Sequence, residues 1–155
     1  MTRTETSADV KSYSVTATGE TPKRVTVEAR GVRMVLDAPE ASGGDDEGLL
    51  PVEALLGALA GCLNSVGHHV AAQRGLDVKR IDATVEADLD VRRFRDGTGE
   101  ERAGFRSVRA TVTVETKAND EDVMAWLEEV RDRNPVIDNL VAPTPVELAV
   151  DVERG

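Results

Sequence analysis

The longest apolar stretch of the chain runs over residues 49–76 and constrains the fold more than any other feature. Pro51 suits the first turn of a helix, where its missing N–H is not needed. Gly75 follows Arg74, which is typical of a helix C-terminus with a positive charge in its last turn. The pattern therefore predicts one long helix over about residues 50–74.

Two different stripes run along this predicted helix at helical spacing. The apolar stripe consists of Leu55, Leu56, Leu59, Leu63, Val66 and Val70, and the small-residue stripe of Gly57, Gly61 and Ser65. Each glycine in a helix, including Gly67, costs about 1 kcal/mol relative to alanine, so close approach of a neighbouring backbone is expected. An isolated subunit would leave one stripe uncovered, which predicts a homodimer.

A membrane span is the competing interpretation, because residues 54–72 carry no fixed charge. Polar side chains such as Asn64 and Gln73 interrupt or bound this run, and no signal-peptide pattern precedes it. We therefore expect a buried helix and no membrane partner. The only cysteine, Cys62, excludes an intramolecular disulfide, which favours a reducing cytoplasm.

Charge and composition argue against nucleic-acid binding. The chain has 29 acidic and 19 basic residues, a formal net charge of −10, whereas phosphate backbones require a basic surface. An aromatic content of 3% leaves little for base stacking. The length of 155 residues suits one ordinary domain, so we expect a flexible leader over residues 1–10 and a single domain over residues 11–155.

Alternating apolar residues predict strands on both sides of the long helix. The predicted strands cover residues 12–18, 24–30, 32–37, 81–91, 108–114 and 146–152, with a turn over residues 95–103. Asn119 is predicted to cap a surface helix whose apolar stripe includes Trp126, and Asn134 with Pro135 to begin a short helix. Strands and helices do not alternate strictly, so the fold class is α+β with largely antiparallel sheet.

Two clusters invite a metal interpretation. The consecutive carboxylates at residues 45–47 lack the ligand spacing of an EF-hand loop, so a solvated acidic loop is the preferred interpretation. His68 and His69 share the long helix with Cys62, but two helical turns place Cys62 and His69 about 10 Å apart along the axis. That separation is too large for one metal ion. We predict no metal and assign the histidines a structural or interface role.

Residues 51–62, PVEALLGALAGC, place Cys62 at the end of a helical segment rich in small residues. Much later, Asn134-Pro-Val-Ile-Asp-Asn-Leu140 precedes the predicted terminal strand. Together these segments resemble the OsmC/Ohr family of osmotically induced and organic-hydroperoxide-resistance proteins, over roughly residues 13–152. The resemblance implies an intertwined homodimer in which antiparallel sheets pack around long central helices, with two active sites near the subunit interface.

The resemblance also implies roles for single residues. Cys62 takes the position of the peroxidatic thiol, which attacks the peroxide oxygen. The family's second cysteine, which resolves the sulfenic acid as a disulfide, falls at Asn134, immediately before Pro135. A sulfenic acid formed here therefore needs an external thiol reductant.

A further departure concerns the arginine that the family places near its thiol. Arg24 is the closest match in this chain. In the Ohr branch, a glutamate directly after the helix-starting proline helps to hold that arginine, but this chain has Val52 there and Glu53 one residue later. The expected pocket near the thiol thus contains Val52, Glu53, Asn134 and Pro135.

Two functions stay open at this point. The first is a one-cysteine thiol peroxidase that reduces organic hydroperoxides with Cys62, Arg24 and an external reductant. The second is a catalytically degenerate dimer that binds a small apolar ligand or partner. Val52 and Asn134 favour it, because both are compatible with the fold but lack the reactive groups of the family's glutamate and second cysteine. A cysteine three turns into a helix is often an inert buried thiol, so the residues alone do not decide between them. Neither function calls for a cofactor.

Overall fold

A computed structural model describes residues 9–155, so most of the predicted leader lies outside the described residues. The backbone forms two compact units, one ending at Ala54 and the other covering Leu55–Gly155. The long helix α1, Pro51–Arg74, begins in the first unit and continues through the second. The single domain over residues 11–155 stays a prediction.

The first unit contains the predicted three-stranded antiparallel meander, with strands β1 (Thr16–Gly19), β2 (Val25–Ala29) and β3 (Val32–Leu36). The turn between β2 and β3 uses Arg30 and Gly31, both with positive φ, as a two-residue hairpin with a right-handed twist requires. The strand predicted over residues 12–18 begins only at Thr16. A short 3₁₀ turn, Glu40–Ser42, lies in the loop between β3 and α1.

The predicted long helix is confirmed almost to the residue. Its C-terminus is closed by Gly75, which has a φ of 68°, and by the Leu76 N–H, which donates to the Ala71 carbonyl at 2.9 Å. Two long strands follow, β4 (Val78–Leu89) and β5 (Phe105–Thr116), paired antiparallel as the alternation predicts. Within residues 9–155, none of the helices is long and apolar enough to cross a membrane.

The hairpin between β4 and β5 corrects the predicted strand end and turn. β4 ends at Leu89 and not at residue 91, and a short helix α2, Arg92–Asp96, precedes the remaining turn. The cause is Asp90, whose carboxylate accepts the Arg92 N–H at 3.1 Å and also binds its guanidinium. The hydrogen bonds from Arg92 hold the pKa of Asp90 well below its usual range. The local side-chain contact thus ends the strand.

Helices α3 (Asp120–Asp132) and α4 (Pro135–Val141) occur where the sequence predicts them. Asn119 caps α3 by accepting the Asp122 N–H at 2.9 Å. Trp126 on α3 is 2% exposed and donates its indole N–H to the Gly67 carbonyl of α1 at 2.9 Å. The core of the second unit is formed by Leu59, Leu63, Val70, Ala71, Ile81, Trp126 and Val130.

The close backbone approach expected on α1 is found at one glycine. A Cβ at Gly67 would lie 2.6 Å from Ile81 Cδ1 and 3.0 Å from Trp126 Cζ2. At Gly57 and Gly61 a Cβ would meet no described atom within 4 Å, and both residues are exposed. The small-residue stripe is therefore open in the single chain.

The predicted terminal strand over residues 146–152 is wrong for the isolated chain, because this segment forms no strand. Its alternating apolar residues are exposed, with Leu148 at 93%. A strand forms only where its N–H and C=O groups pair with another strand, and none of the described strands pairs with it. Alternation predicts which side chains share a face but supplies no partner.

Candidate functional site

Cys62 lies on α1 in the second unit, is partly exposed and forms no disulfide. It follows Pro51 by eleven residues, which corresponds to about 16 Å along the helix axis. The positive end of a helix dipole acts mainly within the first turn, so α1 itself does not activate this thiol. A reactive thiolate here requires a cationic side chain.

Arg24, in the first unit, is held at the start of β2 by the turn that precedes it. Its N–H donates to Thr21 Oγ1 at 2.9 Å, and its carbonyl accepts the Glu20 N–H at 3.0 Å. Its guanidinium forms ion pairs with Glu47 through Nη1 and with Glu20 through Nε, the latter at 3.0 Å. The Nε atom is buried and has no hydrogen-bond partner within residues 9–155.

A residue that the sequence analysis missed organises the loop beside Arg24. Asp37 is 1% exposed, and its carboxylate accepts the N–H groups of Ala38 at 2.8 Å, Asp45 at 3.0 Å and Glu47 at 3.2 Å. Burial acts to raise the pKa of Asp37, but these hydrogen bonds and the Arg24 charge outweigh it and lower that pKa. Asp37 is therefore ionised at neutral pH. Its only sequence signal is an aspartate at the end of a predicted strand.

The carboxylates at residues 45–47 have exposed side chains, in agreement with a solvated loop. Within residues 9–155, no group of three His, Cys, Asp or Glu side chains could hold a metal ion. His69 is exposed and lies 3.2 Å from the Gln73 amide nitrogen on the next turn of α1. The structural or interface role of the histidines stays a prediction.

Val52 and Glu53 occupy the first turn of α1. Val52 is exposed, and Glu53 accepts the N–H of Leu50, the residue before the helix, at 2.8 Å. This is half of a capping box, in which a glutamate at the third helical position satisfies the free N–H at the cap. Glu53 is thus engaged as a cap, whereas the carboxylates that pair with Arg24 are Glu20 and Glu47.

Asn134, in the second unit, is 1% exposed and caps α4. Its Oδ1 accepts the N–H groups of Val136 and Ile137, each at 3.0 Å, and the exposed Pro135 takes the first helical position. Its buried Nδ2 has no hydrogen-bond partner among the described residues. The residue at the position of the family's second cysteine therefore builds the helix terminus and carries one unpaired buried donor.

The predicted site residues divide between the two units. Arg24, Val52 and Glu53 belong to the first, and only Arg24 is paired there with carboxylates. Cys62, Asn134 and Pro135 belong to the second. What the first unit can supply chemically is a guanidinium held in a defined place; what the second can supply is a thiol and a buried amide donor.

Comparison with known proteins gives a consistent result. A family model described as OsmC-like protein matches residues 44–149. An OsmC-like protein from Mycoplasma pneumoniae is 18% identical, with a TM-score of 0.73 over 84% of this chain and 87% of that chain. An organic hydroperoxide resistance protein from Legionella pneumophila is 18% identical, with a TM-score of 0.62 over 85% and 90% of the two chains.

A third solved structure, an organic hydroperoxide resistance protein from Elizabethkingia anophelis with thiocyanate bound, is 14% identical. It has a TM-score of 0.64 and covers 86% of this chain and 91% of that chain. No curated protein sequence matches the chain. At these identities the structural likeness shows the fold, which is the α+β architecture predicted from the sequence.

Proposed function

Because this chain belongs to the OsmC-like family, we propose that it is a thiol peroxidase that reduces organic hydroperoxides. The observation that carries the proposal is Cys62, a partly exposed thiol at the family spacing on the long helix and inside the matched region. Two of the similar structures are named for organic hydroperoxide resistance. Arg24 is proposed as the cation that favours the thiolate.

The proposed reaction has one oxidation step and two steps of reduction by external thiols. The Cys62 thiolate attacks the terminal peroxide oxygen, the O–O bond breaks, and the alkoxide leaves as an alcohol after taking one proton. Cys62 is then a sulfenic acid. Since Asn134 offers no second thiol, one external thiol attacks this sulfur and releases water, and a second thiol frees Cys62 and leaves as a disulfide with the first.

The proposal is tested by trapping the sulfenic acid. Purified protein is treated with one equivalent of cumene hydroperoxide in the presence of dimedone, and the adduct is located by peptide mass spectrometry. We expect the adduct on Cys62, formed faster with cumene hydroperoxide than with hydrogen peroxide. A Cys62→Ser protein is the matched control. No adduct on Cys62, or equal rates with the two peroxides, would contradict a peroxidase selective for organic hydroperoxides.

A homodimer is part of the proposal, and two features of the described chain support it. The face of α1 that carries Gly57 and Gly61 is open, although each glycine weakens the helix. The apolar side chains of residues 146–152 are exposed on a segment without a strand partner. A second copy would cover such surfaces by isologous contacts. Sedimentation equilibrium that shows only a folded monomer of 16.6 kDa at micromolar concentration would contradict it.

The second candidate is a family member without peroxidase activity that binds a small apolar ligand or partner. It is favoured by one observation: Asn134 stands at the position of the resolving cysteine, and its Oδ1 caps α4. The discriminating experiment is cellular. If a Cys62→Ser protein protects cells against cumene hydroperoxide as well as the unchanged protein does, the binding function is the correct one.

A further inference from the structure

The carboxylate that would hold Arg24 is missing from the first turn of α1, where Val52 is exposed and Glu53 serves as the helix cap. The loop between β3 and α1 supplies another one. Glu47 Oε2 pairs with Arg24 Nη1, and Glu20 pairs with the Nε side of the same guanidinium. Arginine has five N–H donors, so these two contacts do not exhaust its capacity.

An exposed ion pair alone contributes little to the order of its partners. The Glu47 side chain is 53% exposed, and pairs of this kind are typically worth about 0–1 kcal/mol because two long side chains must be held in one geometry. Glu47 can fix Arg24 only if its own backbone is fixed. The structure of the loop shows that it is.

Asp37 provides this fixation. Its Oδ2 accepts the N–H of Glu47 at 3.2 Å and that of Asp45 at 3.0 Å, which ties both residues to the end of β3. The Asp46 N–H donates to the Ala38 carbonyl at 3.1 Å. Gly48, the residue after Glu47, passes so close to the Val35 carbonyl that a Cβ would overlap it. The backbone of Glu47 is thus held from both sides.

We propose that Glu47 is a positioning residue for Arg24 and that Asp37 acts through Glu47 by fixing its backbone. In this chain the loop over residues 38–48 thereby replaces the carboxylate that is absent at Val52. The proposal rests on the proposed function for its catalytic consequence. Its structural content, an Arg24 guanidinium ordered by Glu47, is independent of any activity.

Two measurements separate these parts. The first is ¹⁵N relaxation of the Arg24 Nε–H group in the full-length protein, assigned by comparison with Arg24→Lys. We expect an ordered Nε–H in the unchanged protein and in Glu28→Gln, which breaks the exposed Glu28–Arg33 pair on the same sheet. Glu47→Gln should make it mobile. Equal order in the Glu47→Gln and unchanged proteins would overturn the proposal.

The second measurement is the rate at which cumene hydroperoxide oxidises the Cys62 thiol. We expect Glu47→Gln to lower this rate about fivefold, the factor that corresponds to about 1 kcal/mol for one partly exposed ion pair. Glu28→Gln should leave it unchanged, and Glu47→Gln should have no further effect in an Arg24→Gln background. Additive losses in that double variant would overturn the positioning role.

Asp37→Asn tests the step behind Glu47, with Asp45→Asn as the control for charge in the same loop. We expect Asp37→Asn to mobilise the Arg24 Nε–H as Glu47→Gln does, and Asp45→Asn to leave it ordered. If the order of Arg24 responds as expected while the unchanged protein does not react with the hydroperoxide, the positioning stands and the peroxidase function fails. If the protein reacts but neither readout changes in Glu47→Gln, the positioning fails and the function stands.

Discussion

The two glycine-bearing faces of α1 have the same kind of sequence and opposite surroundings. Gly67 lies against Trp126 and Ile81, with no room for a Cβ, whereas Gly57 and Gly61 face open space in the single chain. The helix would gain about 1 kcal/mol at any of these positions from alanine. Only at Gly67 does the described chain show why glycine is present.

This difference teaches that one face of α1 is completed within the chain and the other is not. The completed face is recognisable because its contacts come from α3 and β4 of the same unit. The open face accompanies the unpaired apolar residues 146–152. The four predictions below probe the two faces.

Trp126→Ala should have the largest effect. The side chain is 2% exposed and fills the space beside Gly67, so its removal leaves a cavity and breaks the indole hydrogen bond to the Gly67 carbonyl. We expect a loss of about 3–5 kcal/mol in the free energy of unfolding. Urea denaturation followed by circular dichroism measures it. A loss below about 1 kcal/mol would show that this face is not tightly packed.

Gly67→Ala comes next. The added Cβ would lie 2.6 Å from Ile81 Cδ1, so the Ile81 side chain or the helix must shift. Overpacking of this kind costs about 1–3 kcal/mol. The gain in helix propensity is about 1 kcal/mol, so stability falls if the surrounding core side chains cannot move aside. We expect a net loss of stability in the same denaturation experiment. A gain would mean that the covered face adapts easily.

Gly61→Ala is the matched change on the open face. In the single chain its Cβ meets no described atom, so the fold should be retained. If the open face joins a second copy, the added methyl disturbs that contact, and we expect the dimer dissociation constant to rise about tenfold, equivalent to about 1.4 kcal/mol. Sedimentation equilibrium provides the measurement. An unchanged dissociation constant would show that this face is not part of the dimer interface.

The smallest effect is expected for the contact at the rim of the covered face. Hydrogen bonds from Arg133 and Arg74 lower the pKa of Glu129, which joins α3 to the end of α1. A carboxylate whose pKa is lowered in the folded state stabilises the fold at pH values above its ordinary pKa of 4.5. This contribution is lost as the pH falls through the lowered pKa of the folded state.

Glu129→Gln should therefore be slightly less stable than the unchanged protein at neutral pH and equally stable in acid. Thermal melting as a function of pH tests this, with Glu128→Gln on the same helix as the control. If the melting temperatures of the Glu129→Gln and unchanged proteins differ by the same amount at neutral and at acidic pH, the charge of Glu129 does not contribute to stability.

Much of the fold was predictable because its signals are local. Pro51 and Gly75 delimit α1, Asn119 and Asn134 cap the helices that follow them, and alternation places β4 and β5. Each of these effects acts within a few residues along the chain. The family model matches residues 44–149, a range that includes all of these segments.

The candidate site was less predictable because its contacts join residues far apart in sequence. Asp37 binds N–H groups eight and ten residues later, and Arg24 pairs with Glu47 across two strands and a loop. No periodicity signals contacts of this kind, since each requires the loop to fold back on β3.

By itself the sequence determined the class of fold, the extent of the long helix and the identity of the one thiol. Hydrophobic period, caps and glycine stops decide these through interactions between near neighbours. Only the tertiary structure decided that Gly67 is the glycine that packs against Trp126. It also decided that residues 146–152 lack a strand partner within the described chain and that Glu47 forms an ion pair with Arg24. These outcomes depend on which distant surfaces come into contact. A strand needs a neighbouring strand to pair with, and an ion pair needs both of its charged groups in place.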